Sequence, residues 1–389
     1  MRSIRDLPIE GKTVFVRVDF NVPLEEGRVT DATRIVESLP TIRHASERGA
    51  RVVCASHLGK PKGKPDPKYS LGPVAVEFAA KLGQPVRFVE DCVGPEVERI
   101  GKALPGGGVL LLENLRFHAG EEGNDPEFAR ALARLADVYV DDAFGAAHRS
   151  HASVVGVPRL LPLKGAGLLM EKEVSELKRV LDPARPFAAI LGGAKISGKI
   201  DTLRVLARHA DILLIGGGMA NHFVAALGLP IGKSLLEADR VPMAREILDT
   251  CKKEGKTLAL PSDFVVAASP DDAAGATTVG IAKIPINLMA LDVGLKTLEQ
   301  FERLLVGVKT VFWNGPMGVF EKPPFDRGTM ALAHLLAESG AVTVVGGGES
   351  VAAAHAAGVA EKFTHVSTGG GASLDFITNG TLPGIQALE

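Results

Sequence analysis

The chain has 389 residues, 46% of them hydrophobic and 23% charged, and its 44 Lys and Arg nearly balance 46 Asp and Glu for a formal net charge of -2. That balance excludes a global basic field for nucleic acid or an anionic membrane, so any basic site must be local. The apolar share excludes a disordered chain, and the length exceeds what one core usually serves, so two domains of roughly 150 to 200 residues are expected.

In chain order, "MRSIRDLPIEGK" carries charges where a signal peptide needs an unbroken apolar segment, and no later run of about 18 apolar residues follows. A cytoplasmic protein is therefore expected. The run "TVFVRV" reads as a buried strand and passes into Asp19 and Asn21 before the helical pattern "DATRIVESLPTIRHASERG". "RVVCAS" is the next strand, and it ends in "SHLGKPKGK", where His57 is followed by three lysines, two glycines and a proline. A solvated turn would explain the lysines alone, whereas an anion site explains the histidine and glycines too. "VRFV" and "VLLL" lead to Arg116 and His118, and "VYVDD" opens into "AHRSHAS" with His148, Arg149 and His151.

The stretch Gly167 to Pro186, "GLLMEKEVSELKRVLDPARP", is a charged helix pattern closed by Asp-Pro and Arg-Pro, and it reads as a linker. Strands then resume as "FAAILGG", "ILLIGGG", "TLALPSD", "TVFWNG" and "VTVVGGG", alternating with helix patterns such as "KIDTLRVLARHA" and "RGTMALAHLLAES". Strands alternating with helices mark parallel sheets with crossover helices, so the fold class is α/β with two doubly wound, Rossmann-like sheets. The three cysteines, Cys54, Cys92 and Cys251, are odd in number and far apart, which points to free thiols.

The two halves end their strands differently. N-terminal strands run into Arg17, Asp19, His57, Arg116 and Arg149, residues suited to a small multiply charged acid gripped by arginine forks. C-terminal strands run into glycine, and a glycine turn feeding a helix presents backbone N–H groups and a positive helix end to a phosphate. In "LGGAKISGKI" the i,i+4 spacing of Lys195 and Lys199 predicts two ammonium groups on one helix face. Ligands of doubly wound sheets bind beyond the strands' carboxyl ends, so the contrast implies two different ligands. "GLPIGKS" lacks one residue of a P-loop, no G-x-G-x-x-G follows a strand, and His148 with His151 lacks a third metal ligand at a telling spacing.

At "RVDFNVPL", "DATRI", "SHLGKPKG", "LLENLRFHAGEE", "DAFGAAHRSHAS", "LGGAKISGKI", "VFWNGPMGVFE", "VGGGES" and "STGGGASL" the chain resembles the phosphoglycerate kinases, in that family's order and over nearly its whole length. The resemblance implies reversible phosphoryl transfer from 1,3-bisphosphoglycerate to MgADP, giving 3-phosphoglycerate and MgATP, in a monomer whose two domains close to exclude water. It implies an acid-binding domain at 1–168, a hinge helix at 169–184, a nucleotide-binding domain at 185–370, and a segment at 371–389 that returns to the first domain. By motif, Asp19, Phe20, Asn21, Arg34, His57, Leu58, Gly59, Lys60, Arg116 and Arg149 would hold the acid. Arg34, Lys195, Lys199, Gly348 and Gly371 would serve the transfer itself. Lys199, Gly294, Asn314, Glu321, Gly347, Gly348, Glu349 and Ser350 would hold the nucleotide, with Glu349 on its Mg2+.

Four positions depart from the family's pattern. Lys60 stands for arginine, Glu349 for the aspartate that serves the magnesium, Gly198 for aspartate and Leu295 for proline. The substitutions motivate an alternative, a catalytically weak binding or regulatory protein on the same scaffold. A metal-dependent hydrolase built on the histidine pair is a third reading.

Overall fold

A computed structural model describes residues 1–389. The chain parts into two compact units, Met1–Ser175 with Thr381–Glu389, and Glu176–Gly380. The boundary falls inside the helix Leu168–Leu181, which has Glu171 in its first turn and Lys178 and Arg179 in its last, charges that complement the helix dipole. Its start is anchored from the first unit. Asp142 Oδ1 accepts the N–H groups of Leu169 at 2.9 Å and Met170 at 3.2 Å, two of the donors that a helix start leaves without partners. No helix is long and apolar enough to cross a membrane.

In the first unit six strands lie in the order Val86–Val89, Val109–Leu112, Arg51–Ala55, Thr13–Arg17, Val138–Asp141, Lys164–Ala166, every neighbouring pair parallel. Thr13–Arg17, Val109–Leu112 and Val138–Asp141 are buried along their whole length. Helices on both faces make such strands read as continuous apolar runs, which is why they are legible in the sequence. By chain position the order is 3-4-2-1-5-6. The direction of travel reverses at Thr13–Arg17, beside Val138–Asp141.

The second unit's parallel sheet has the order Thr257–Ala259, Ile212–Ile215, Phe187–Leu191, Thr310–Asn314, Val342–Val345, His365–Val366. That is 3-2-1-4-5-6, with its switch point between Phe187–Leu191 and Thr310–Asn314. A separate antiparallel sheet, Thr277–Gly280, Asp263–Ala267, Met289–Val293, was not expected. Its outer strand Thr277–Gly280 is mostly exposed and so carries no apolar run to announce it. The two-residue ribbon of Leu24–Glu25 and Arg28–Val29 escaped notice because it is so short.

The C-terminal stretch divides. Helix Gly371–Asn379 belongs to the second unit, and only Thr381–Glu389 belongs to the first, later than the resemblance implied. There Gly384 N–H donates to the Ala147 carbonyl at 2.8 Å and the Lys164 ammonium donates to the Ala387 carbonyl at 2.8 Å. Ala387 closes a small core with Ala143, Ala146, Val154 and Val155. A Cβ on Gly384 would come within 3.1 Å of Ala147 Cα, so a side chain there would crowd the contact.

Candidate active site

At the first unit's switch point, the chain leaving Thr13–Arg17 is held by short polar contacts to the chain leaving Arg51–Ala55. Phe20 N–H donates to Ser56 Oγ at 2.8 Å, and Gly59 N–H donates to Asn21 Oδ1 at 2.9 Å. The Phe20 ring packs against Phe78 at 4.9 Å beneath them. Asp19 Oδ2 accepts from Arg34 Nη1 at 3.0 Å, and the same nitrogen reaches the Asn21 carbonyl at 3.2 Å. Arg34 begins in the first turn of the helix Thr33–Glu47 and keeps 32% of its side chain exposed. Its cation is thus oriented by two acceptors yet open to a ligand.

Arg116 is buried and donates to the Gly59 carbonyl at 2.8 Å, joining the third strand end to the second. Gly59 has φ +58 and a Cβ there would meet the Tyr69 ring at 2.3 Å, so both its conformation and its neighbour demand glycine. Leu58 N–H donates to Asn114 Oδ1 at 3.2 Å, and Asn114 Nδ2 returns to the Leu58 carbonyl at 2.7 Å. Asn114 therefore shapes the loop without being in any of the predicted roles. Its signal was an asparagine one residue past a strand, between "LLE" and "LRF".

His57 is buried against Arg17 Nη2, 3.1 Å from its Nδ1. A guanidinium has no acceptor, so Nδ1 accepts and the proton sits on Nε2. Burial first, then the positive charge of Arg17, Arg116 and Arg34, holds the imidazole well below its usual value and keeps it neutral. Arg17 is itself fully buried, with Nε donating to Ser153 Oγ at 2.8 Å, and Ser153 Oγ donating to Glu121 at 2.6 Å. The guanidinium read as a ligand contact is thus a structural cation under His57. Burial pushes Glu121 up, partly opposed by Arg17 and the two Ser153 hydrogen bonds.

Lys60 and Arg149 are exposed, as are Lys62 and Lys64. Arg149 lies near the cluster, because its charge, with those of Arg116 and Arg17, helps burial depress His151 to about 3. The histidine pair's acidic neighbours are engaged elsewhere: Asp141 accepts Ala143 N–H at 3.0 Å, and Asp142 caps the helix start described above.

In the second unit the switch point is built of backbone. Gly193 N–H donates to the Pro316 carbonyl at 2.8 Å and Met219 N–H donates to the Gly193 carbonyl at 3.0 Å. These bonds bring the ends of Phe187–Leu191, Ile212–Ile215 and Thr310–Asn314 into contact. A Cβ on Gly192 would lie 2.2 Å from the Pro316 carbonyl oxygen, and one on Gly217 2.7 Å from Gly193 N. Helices start directly after the glycines, at Gly217–Ala226, Gly348–Ala356 and Gly371–Asn379, as expected. Asn314 Nδ2 donates to the Gly346 carbonyl at 2.6 Å, and Ser350 Oγ accepts from Gly315 N–H. Gly347 has φ +89, and a Cβ on it would stand 2.4 Å from Asn314 Nδ2. Asn314 Oδ1 is buried without a partner.

One expectation fails here. Lys195 and Lys199 do not share a helix face, because the α-helix begins only at Ile200, after a single 3-10 turn Ser197–Lys199. Lys199 instead folds back, its ammonium donating to the Gly192 carbonyl at 3.0 Å, while Lys195 is exposed. Burial lowers Lys199, and Glu349 acts in the opposite sense.

Glu349 is exposed in the first turn of Gly348–Ala356, with Oε2 3.5 Å from where a Gly193 Cβ would stand. Glu321 is exposed in a turn. Gly294 is buried, and a Cβ there would meet Asp263 Oδ2 at 2.2 Å, so it makes room for the carboxylate that accepts Thr297 N–H at 2.9 Å. Gly198 faces open space, so the absent aspartate leaves no packing defect, and Leu295 is 68% exposed.

Sequence reasoning missed Glu237. One of its oxygens, Oε2, accepts Ile196 N–H at 2.9 Å and Ser197 N–H at 3.1 Å, fixing the loop that carries Lys195 and Lys199. Glu237 N–H in turn donates to His222 Nε2 at 3.0 Å, from the helix Gly217–Ala226. No local pattern marks a glutamate that acts on a loop 41 residues away.

A family model described as phosphoglycerate kinase matches residues 4–380. The phosphoglycerate kinase of Solibacter usitatus is 54% identical over 394 residues, covering 100% of this chain and 99% of that one. That of Thermus thermophilus is 55% identical over 393 residues, covering 100% of both. Among solved structures, phosphoglycerate kinase from Coxiella burnetii superposes with a TM-score of 0.89 at 40% identity, covering 100% of this chain and 98% of that one. The enzyme from Pyrococcus horikoshii gives 0.87 at 35% identity, with the same coverage.

Proposed function

The chain belongs to the phosphoglycerate kinase family, and we propose that its two switch points divide that family's reaction. The reaction is reversible phosphoryl transfer from 1,3-bisphosphoglycerate to MgADP, giving 3-phosphoglycerate and MgATP, a step of glycolysis. The first unit takes the acid and the second the nucleotide. One observation carries this assignment: the first switch point ends in fixed cations and a neutral imidazole, whereas the second ends in glycine turns and helix starts.

Phosphoryl transfer needs positioning and charge neutralisation more than covalent chemistry. The acyl phosphate's carboxylate is a good leaving group, so no general base is required of the chain. Arg34 neutralises the phosphoryl group in flight and is kept in place by Asp19 and the Asn21 carbonyl. Arg116, Arg149 and Lys60 supply the remaining positive charge for the acid. Neutral His57 offers its Nε2–H as a donor, and Asn21 fixes the loop around Gly59.

On the nucleotide side, Lys199 and Lys195 meet the phosphates together with the N–H groups at Gly348 and Gly371. Asn314, Ser350 and Gly347 shape that loop, and Glu321 and Gly294 flank the nucleoside. Magnesium bound with a nucleotide usually takes one or two carboxylates plus phosphate oxygens and water. The single exposed Glu349 fits that demand, and the ion it would hold neutralises phosphate charge. A coupled assay with 3-phosphoglycerate and MgATP tests the activity; folded protein that binds both ligands without turnover would instead make the chain a binding protein.

A further inference from the structure

Asp91 and Cys92 follow the strand Val86–Val89, and His118 follows Val109–Leu112 by one 3-10 turn, Leu115–Phe117. The two strands are neighbours in the first unit's sheet, so their ends bring a carboxylate, a thiol and an imidazole together. One ligand atom from each lies within 4.8 Å of the others. His118 Nε2 is 2.7 Å from Asp91 Oδ1, and the His118 ring is stacked on Phe128 at 5.2 Å, which fixes its direction. None of the three has a role in the transfer described above. Cys92 is buried at 1% exposure, while Asp91 and His118 are accessible, leaving one open side.

We propose that Asp91, Cys92 and His118 form a binding site for a divalent cation of the zinc type. The donor set argues for this class, since thiolate and imidazole select a borderline-soft ion over magnesium or calcium. Zn–S of about 2.3 Å and Zn–N of about 2.0 Å put two ligands of a tetrahedral ion roughly 3.5 Å apart. Opening the Asp91–His118 contact and closing the longest separation each require about 1 Å, within reach of side-chain rotation. The surroundings are negative: Asp91, Glu121 and Glu113 all act on Cys92, and their charges attract a cation. Binding sends the thiol proton to solvent, and water from the open side completes the coordination. The ion would tie the end of Val86–Val89 to the turn that carries Arg116.

Cobalt(II) titrated into the full chain, without nucleotide or magnesium, tests the site. The expected result is one equivalent bound with a thiolate-to-cobalt charge-transfer band, displaced by Zn2+. Changing an outer-shell partner alone costs about 10–100-fold in affinity, so His118→Ala should weaken Zn2+ binding by at least roughly a hundredfold. Asp91→Asn should weaken it as well, and Cys92→Ser should abolish the band. Asp91 and His118 are accessible, so their variants remain informative if Cys92→Ser fails to fold. Cys54→Ala and Cys251→Ala should leave the band unchanged. A missing band, or one that survives His118→Ala or follows Cys54 or Cys251, overturns the proposal. The readout needs no turnover, so it stands apart from the kinase reading.

Discussion

In the first unit the strand Thr13–Arg17 hands over to Asp19, Asn21 and a buried guanidinium, whereas in the second Phe187–Leu191 hands over to Gly192 and Gly193. Both handovers stand at the point where a six-stranded parallel sheet reverses its order. The same architecture therefore offers its crevice in two ways. One is filled with side chains, whose charges suit an anion and whose hydrogen bonds aim them. The other is cleared of side chains, so that backbone N–H groups and helix starts can approach a phosphate. A site of the first kind should fail when a charge is removed. A site of the second kind should fail when a carbon is added.

The largest test removes the charge. Arg34→Ala should lower turnover by about 10^3 to 10^5, the range known for a cation at a transferring phosphoryl group. MgADP affinity by equilibrium titration should stay within about twofold; an equal loss there would erase the division between the units. The second test adds the carbon. Gly347→Ala sets a Cβ 2.4 Å from Asn314 Nδ2 at φ +89, a conformation that costs a non-glycine residue about 1–3 kcal/mol. The KM for MgATP should rise with little change for 3-phosphoglycerate, and the reverse pattern would contradict a backbone-built nucleotide site.

A third variant sharpens the comparison, because Glu237 is a side chain serving the backbone-built site. Glu237→Ala leaves the Ile196 and Ser197 N–H groups without their acceptor, a loss of about 1–3 kcal/mol per buried donor, here lessened by partial exposure. A rise of about tenfold in the KM for MgATP is expected, partly rescued by Glu237→Gln, whose amide oxygen can still accept. Unchanged nucleotide kinetics would remove Glu237 from the site.

The smallest effect is one the two units share. Burial pushes Asp142 in the first unit and Asp292 in the second up to about 8. With an ordinary value of about 3.9 in the unfolded chain, each proton is held more tightly when folded. The stability this contributes is complete below about pH 4 and is lost as pH rises through about 8. Asp142→Asn and Asp292→Asn should each flatten the alkaline fall in Tm while keeping an oxygen for the N–H groups they accept. If neither slope changes, the two carboxyls are ionised in the fold.

Much of this was legible in the amino-acid order. Strands such as "VLLL" and "FAAIL" are buried on both faces, and so announce themselves as apolar runs whatever their neighbours. The different strand ends, basic in one half and glycine in the other, were likewise legible, because residue type at a strand end is local information. Strand order was not local, and it alone decided that Asp19 with Arg34, and Gly193 with Asn314, stand at reversal points. Direction was not local either: Arg17 turned inward beneath His57, Lys199 folded back onto Gly192, and Glu237 reached the Lys195 loop from a distant segment. Periodicity and composition act over a few residues, whereas these contacts depend on which strands become neighbours, a choice made only when the sheets close their cores.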